Sequence, residues 1–229
     1  MANVSSANEA MPRYRSTGRF ALESLEGLLV APLILVGWPF VGRSLGQWGS
    51  TRRERDAAWP GDAFVTEPAE VFTRAVDIDA PRDVVWRWVV QFGLGRAGFY
   101  SYELFERLAG IEVRNVESIM PEEQEIHVGD EIKLHQSAPG IWVSAVEPGR
   151  HLCFSQPAGQ EPSIDPLRSW SLYLEPLEPS GCRLLLRSCI EAPRDTSLKK
   201  RVSLAVETPV DFLMEQRMLR TIRRLAERS

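Results

Sequence analysis

From Val71 to Ile78 apolar and polar positions alternate, with Phe72, Val76 and Ile78 on one face and Arg74 sharing that face near its outer end. This is the period of a half-buried strand. Asp79-Ala80-Pro81 stops it and places Asp79 to cap a helix, in which Val84, Val85, Trp88 and Val89 recur at helical spacing. That helix runs into a glycine-rich turn, Gln91 to Gly98, and a second short helix ends at Gly110. Further strand segments follow at residues 113–119, 131–135, 141–146, 151–155, 170–175 and 183–191. Between them lie Pro121, Gly129-Asp130, Pro139-Gly140, Pro148-Gly149, a proline-bearing stretch over 157–166, and Pro179-Ser180-Gly181. Short strands separated by such breakers predict an antiparallel meander. Trp170, Leu172 and Leu174 face one way, Ser169, Ser171 and Tyr173 the other, which predicts a sheet packed on one face only.

The last element spans residues 198–226, with Thr208-Pro209-Val210-Asp211 reading as a fresh helix start and hence a break. Beyond it Val210, Leu213, Met214, Met218, Ile222 and Leu225 form one apolar stripe. The surface available to that stripe is the face of the sheet. The expectation is therefore an α+β fold: a curved antiparallel sheet of about seven strands wrapped around a long C-terminal helix, with two short helices after the first strand. A sheet gripping one helix rarely fills its own interior, so a cavity is expected between them.

Upstream the pattern changes. Residues 27–42 carry no charge, a run between the length of a buried helix and the roughly 20 residues needed to cross a bilayer. Pro32 and Pro39 interrupt it, and arginines flank both ends, so the positive-inside rule gives no orientation. The polar residues before Phe20 and the lack of an A-x-A site argue against a cleaved signal peptide. The chain divides into a disordered tail (1–19), a hydrophobic segment (20–45) that is either membrane-associated or a packed helix, an irregular linker arm (46–68) with aromatic anchors Trp48, Trp59 and Phe64, and a ligand-binding domain (69–229).

Composition narrows the function classes. The 229 residues carry a formal net charge of −4 with acidic and basic residues interspersed, which argues against nucleic acid as a partner. The arginines at 217, 220, 223, 224 and 228 read as a solvated face and a helix C-terminus. Three cysteines, an odd number without a secretory signal, suggest reduced thiols and a cytoplasmic location, with membrane association through the N-terminal segment left open. Cys182 and Cys189 fall on opposite faces of one strand. His127, His135 and His151 have no metal-ligand spacing between them, so no metal and no cofactor is expected. Gly93-Leu94-Gly95-Arg96-Ala97-Gly98 is not a dinucleotide fingerprint, because it follows a helix rather than a strand. No nucleophile elbow or phosphate loop is present.

What remains is a set of polar groups able to line an apolar cavity: Gln91, Arg96, Tyr100, Tyr102, His135, Ser144 and Arg187. They are interleaved with apolar candidates Trp142, Phe154, Trp170 and Leu172, and with Met214 and Met218 on the closing helix. A mostly apolar pocket with a few polar anchors is the usual form of a small-molecule site. Which face of the last strand looks inward is undecided between Leu184 and Leu185.

Residues Ile78-Asp79-Ala80-Pro81 with Val84-Val85-Trp86, then Val90-Gln91-Phe92-Gly93 and Arg96 to Tyr102, resemble the START-like, polyketide-cyclase-like (SRPBCC) superfamily, and within it an uncharacterised bacterial branch. The stretches around Trp48-Gly49, Pro60-Gly61-Asp62 and Phe212-Leu213-Met214-Glu215 extend the likeness over residues 48–227. The resemblance implies a helix-grip fold and a ligand such as a lipid, sterol or polyketide-like molecule. It carries over no catalytic constellation. Three functions stay open: a carrier or sensor, a cyclase- or dehydratase-type enzyme using acid–base residues in the same cavity, and a structural or partner-binding domain with a filled core.

Overall fold

The computed structural model describes residues 11–156 and 165–229. The expected tail over residues 1–10, and breakers over 157–164, lie outside the described residues. Helix α1 (Thr17–Gly46) comes first, then the short α2 (Arg52–Asp56) and a 3₁₀ turn at Pro60–Phe64. Strand β1 (Glu70–Ile78) leads to α3 (Arg82–Val90) and α4 (Glu103–Leu108). Strands β2 (Glu131–Ile132), β3 (Ile141–Glu147), β4 (His151–Ser155), β5 (Arg168–Leu177) and β6 (Gly181–Ile190) follow, and α5 (Leu198–Ala226) closes the chain.

The strands form one curved antiparallel sheet in the order β1-β6-β5-β4-β3-β2. The count is six among the described residues rather than seven. Residues 113–119 do not join the sheet. Val116 instead bridges Tyr14, and Arg15 donates from its backbone to the Asn115 carbonyl at 2.9 Å. The β-prone pattern there found a partner in the N-terminal segment, so the expected disorder is also corrected over residues 13–19, where Arg15 is buried and α1 begins at Thr17.

Pleat alternation places Val76, Ile78, Leu172, Leu174, Leu184 and Leu186 on the inner face, where they pack with Trp88, Val89, Leu219 and Ile222 of α3 and α5. Leu184 therefore looks inward and Leu185 outward. Helix α5 is continuous through Pro209, which is buried, and Thr208 Oγ1 donates to the Leu204 carbonyl at 3.0 Å. The expected break is overridden by packing, which buries Pro209, Phe212 and Leu213 within one continuous helix. Helix α3 starts at Pro81 without a side-chain cap, so Asp79 does not play that part.

The outer face is not left to solvent, contrary to the one-sided pattern. Residues 46–68 fold over it: Trp59 and Phe64 cover Ala75, Cys153, Tyr173 and Leu185. Trp59 stacks on Tyr173 at 4.6 Å, and the Tyr173 hydroxyl accepts from Gly61 N at 2.8 Å. Ser169 and Ser171 are buried in consequence. Arg187, expected in the cavity, belongs to this outer layer. Its Nε meets Asp62 Oδ1 at 2.6 Å, Nη2 donates to Oδ2 at 3.1 Å, and Nη1 donates to Thr73 Oγ1 at 2.9 Å. Cys189 lies on the same side, with Sγ 3.3 Å from Asp62 Oδ1, while Cys182 packs in the inner core. Asp62→Ala removes a bidentate partner from a nearly buried guanidinium. It is expected to lower stability by about 2 kcal/mol, measured by urea unfolding.

Helix α1 lies against the domain rather than apart from it. Gly46 meets β1 where a Cβ would stand 2.5 Å from the Phe72 ring, so only glycine lets the helix approach there. Trp38 packs on Phe212 of α5 at 5.7 Å. Towards the other end Arg217 pairs with Glu23 and, at 3.0 Å, with Glu26, and Arg15 reaches Glu23 at 2.6 Å.

Candidate functional site

A pocket of about 310 Å³ opens between the inner face of the sheet and the middle of α5. Its walls are mostly apolar, with Phe92 and Phe99 from the glycine-rich loop, Phe154 and Trp170 from β4 and β5, and Met214 and Met218 from α5. Phe92 and Phe154 both pack on Trp170, at 5.2 and 5.4 Å between ring centres. Tilted rings at these distances make a continuous aromatic wall.

Charged groups interrupt this wall. Arg74 of β1, only 1% exposed, lines the pocket and forms an ion pair with Glu215 of α5. Its guanidinium lies 5.3 Å from the ring centres of both Phe72 and Phe212. Trp170 Nε1 donates to Glu215 Oε1 at 2.9 Å, and Arg168 pairs with Asp211 at 3.3 Å. Two cations thus face two carboxylates, and the cluster is close to neutral. Burial pulls Arg74 down to about 10, opposed by Asp211, so it stays charged at neutral pH. Desolvation raises Asp211, against the pull of Arg168 and Arg74. Arg74 Nε has no hydrogen-bond partner among the described residues.

Another ionisable group in the lining is Glu106 of α4, 3% exposed. Ser101 Oγ donates to its Oε1, while Oε2 has no partner among the described residues. Burial pushes this carboxyl up to about 7; the Ser101 hydrogen bond opposes the shift, Glu103 adds to it, and Arg15 and Arg107 oppose it. A carboxyl that titrates near neutrality can donate or accept a proton there.

Of the residues singled out from sequence, Phe154, Trp170, Met214 and Met218 border the pocket. The others lie elsewhere. Gln91 is a structural clamp: its Nε2 donates to Tyr100 Oη at 2.8 Å, and its Oε1 accepts from Met120 N at 2.9 Å. Arg96 pairs with Glu123 at 2.7 Å and donates to the Val90 and Glu123 carbonyls. Tyr100 is fully buried at φ 58°, its backbone N–H held by Asn115 Oδ1. Gly98 beside it has φ 84°, and a Cβ would stand 2.6 Å from that same Asn115 oxygen. The glycine-rich turn is thus a folded knot tied down by Gln91 and Asn115.

Tyr102 turns towards α1, its hydroxyl donating to Glu26 at 3.0 Å. His135 accepts from Ser137 N at 3.0 Å and is half-exposed, outside the pocket lining. Trp142 and Ser144 sit on β3 outside the lining, although Ser144 Oγ meets the pocket residue Ser155 at 2.5 Å. Leu172 is buried in the core, and Arg187 lies on the opposite face of the sheet. Among the described residues no group of three His, Cys, Asp or Glu side chains could hold a metal ion.

Sequence reasoning passed over Arg74, Glu106, Asp211 and Glu215. Arg74 had a signal, since alternation puts it on the face of Phe72 and Val76. Asp211 and Glu215 had one too, standing one turn apart beside Met214 and Met218. Glu106 had none. It stands between Glu103 and Arg107 on a short helix, and only packing removes it from water.

A six-stranded antiparallel sheet closed by one long C-terminal helix is a helix-grip arrangement. No family model matches the chain, and no curated protein matches it. Solved structures are similar to it at low identity. The Polyketide_cyc-like protein Cgl2372 from Corynebacterium glutamicum is 17% identical over 69% of this chain and 91% of its own, with a TM-score of 0.40. Protein NE0264 from Nitrosomonas europaea is 12% identical over 69% and 94%, also at 0.40. A protein from Arthrobacter aurescens is 17% identical over 70% and 88%, at 0.39. Likenesses this distant carry no functional argument, and the architecture stands on its own strand order and closing helix.

Proposed function

We propose that the protein binds a hydrophobic small molecule in the pocket between sheet and α5, as a carrier or sensor. The observation that carries this reading is an aromatic and methionine-lined space of about 310 Å³ with a buried arginine in its wall. Apolar walls favour a greasy body of the lipid, sterol or polyketide class. Arg74 Nε, without a partner among the described residues, calls for an acceptor, which a carbonyl, hydroxyl or carboxyl oxygen on the ligand would supply. Ser188 pairs in the sheet with both Phe72 and Trp170 and lines the pocket, so Ser188→Phe would place a ring inside it. Native mass spectrometry and displacement of a naphthylamine dye test the reading. The wild type is expected to take up the dye, and Ser188→Phe to bind it at least about tenfold more weakly, roughly 1.4 kcal/mol. Equal binding by both proteins would place the dye elsewhere and count against the pocket.

A second reading, an acid–base enzyme on a carbonyl substrate, is supported by Glu106, a buried carboxyl at the pocket wall pushed up to about 7. On that reading Glu106→Gln abolishes turnover while leaving ligand affinity within about twofold; on the carrier reading there is no turnover to lose.

A further inference from the structure

Helix α1 is built inside out. The face it turns to the domain carries Glu23, Gly27, Gly42 and Gly46, all buried. The face it turns outward carries Leu22, Leu25, Leu29, Leu33, Val36 and Phe40, at spacings of three and four, each between 57% and 87% exposed. No charged residue occurs from Gly27 to Gly42. From Leu22 to Phe40 the stripe runs roughly 27 Å, far longer than scattered surface leucines. A partner protein's footprint needs a polar rim with hydrogen-bonding groups, and this stripe offers none. Hydrocarbon asks for none.

We infer that the outward face of α1 beds in the plane of an anionic lipid bilayer. The helix is long and apolar enough to cross a membrane by length and composition. In this fold, however, it is fastened to the domain along its length, by Glu23 and Glu26 on Arg217 towards one end and by Trp38 on Phe212 and Gly46 against Phe72 towards the other. Crossing the bilayer in that arrangement would drag Arg217 and its carboxylates into hydrocarbon, where charge is costly. Lying in the interface keeps them on the protein side of the helix and buries only the leucine stripe, the geometry of an interfacial helix. The charge argument comes from α5, whose first turns expose Leu198, Val202 and Val206 beside Lys199 and Arg201. Apolar side chains flanked by cations suit anionic headgroups. This inference does not depend on what the pocket holds.

The full chain, mixed with phosphatidylcholine vesicles with and without phosphatidylserine, tests it by co-sedimentation. Binding is expected with phosphatidylserine. The double variant Leu29→Glu/Leu33→Glu, at exposed positions, is expected to keep the wild-type circular dichroism and lose at least about tenfold in partitioning. Lys199→Glu/Arg201→Glu is expected to lose severalfold only on phosphatidylserine vesicles. Depth is read by an environment-sensitive fluorophore on Leu22→Cys, Leu33→Cys and Phe40→Cys in turn, the three native thiols being buried. In-plane bedding gives the same shallow depth at all three, about 5–10 Å. A deep centre with shallow ends would mean spanning and overturn the inference. So would absence of vesicle binding, indifference to either charge variant, or a lipid-free dimer that Leu29→Glu/Leu33→Glu dissolves.

Discussion

Arg74→Met is expected to lower the stability of the protein by about 3–5 kcal/mol in urea unfolding at neutral pH, whereas Arg74→Met/Glu215→Leu should recover most of the loss. The single change removes the cation that faces Glu215 and leaves that carboxylate in the wall of an apolar pocket, held among the described residues by the Trp170 indole. A buried charge without its partner cannot recover the hydration it gave up. Removing both charges abolishes the desolvation cost together with the attraction, and apolar replacements of similar length fill the space. Burial pulls Arg74 down to about 10, in the direction expected of a charge that has given up its hydration. If the double variant matches the wild type in stability, the pair is not retained for stability. Weaker ligand uptake by that variant would then mark Arg74 as a binding group. If the double variant is as unstable as the single one, the ion pair itself holds α5 to β1 and the binding role loses its support.

Glu106→Gln is expected to stabilise the protein above neutral pH and to leave it unchanged in acid. The Glu106 carboxyl titrates at about 7 in the fold against an ordinary 4.5, so the native state holds its proton more tightly than the unfolded chain. Stability from this group is therefore fully present below pH 4.5 and falls as pH rises through about 7. The shift corresponds to about 3 kcal/mol at pH 8, as an upper figure. Glutamine cannot ionise and keeps nearly the same shape. The difference in unfolding free energy between the two proteins, followed from pH 4 to pH 8.5, should open between about 4.5 and 7 and then level off. A flat difference across that range would mean that Glu106 ionises as it does in water and that the pocket wall around it is wet.

The architecture was legible because it rests on local rules. Alternation in 71–78 put Phe72, Arg74, Val76 and Ile78 on one face, and the structure keeps them there. Proline and glycine breakers located the meander, and the stripe from Val210 to Leu225 located the helix that closes it. The pocket was less legible. Its apolar residues, Phe154, Trp170, Met214 and Met218, followed from the same periodicity. Its charged residues could be placed on a face but not given a role, because the pairing of Arg74 with Glu215 and of Arg168 with Asp211 joins positions far apart in the chain. Gln91, Arg96 and Tyr100 were misjudged for a related reason. A polar side chain near an apolar loop can serve a ligand or the loop itself, and only the distances to Met120, Glu123 and Asn115 decide it.

The sequence by itself determined the order of elements, the antiparallel pairing of neighbouring strands and the inward face of most of them. Those depend on side-chain period and turn chemistry, which act over a few residues. Tertiary structure alone decided which faces were covered and which charges were dry. It folded residues 46–68 over the outer face and turned Arg187 into a clamp on Asp62. It kept α5 unbroken through Pro209 and set residues 113–119 against Tyr14 rather than in the sheet. Burial is a property of every element that happens to lie above a residue, and no window along the chain contains it.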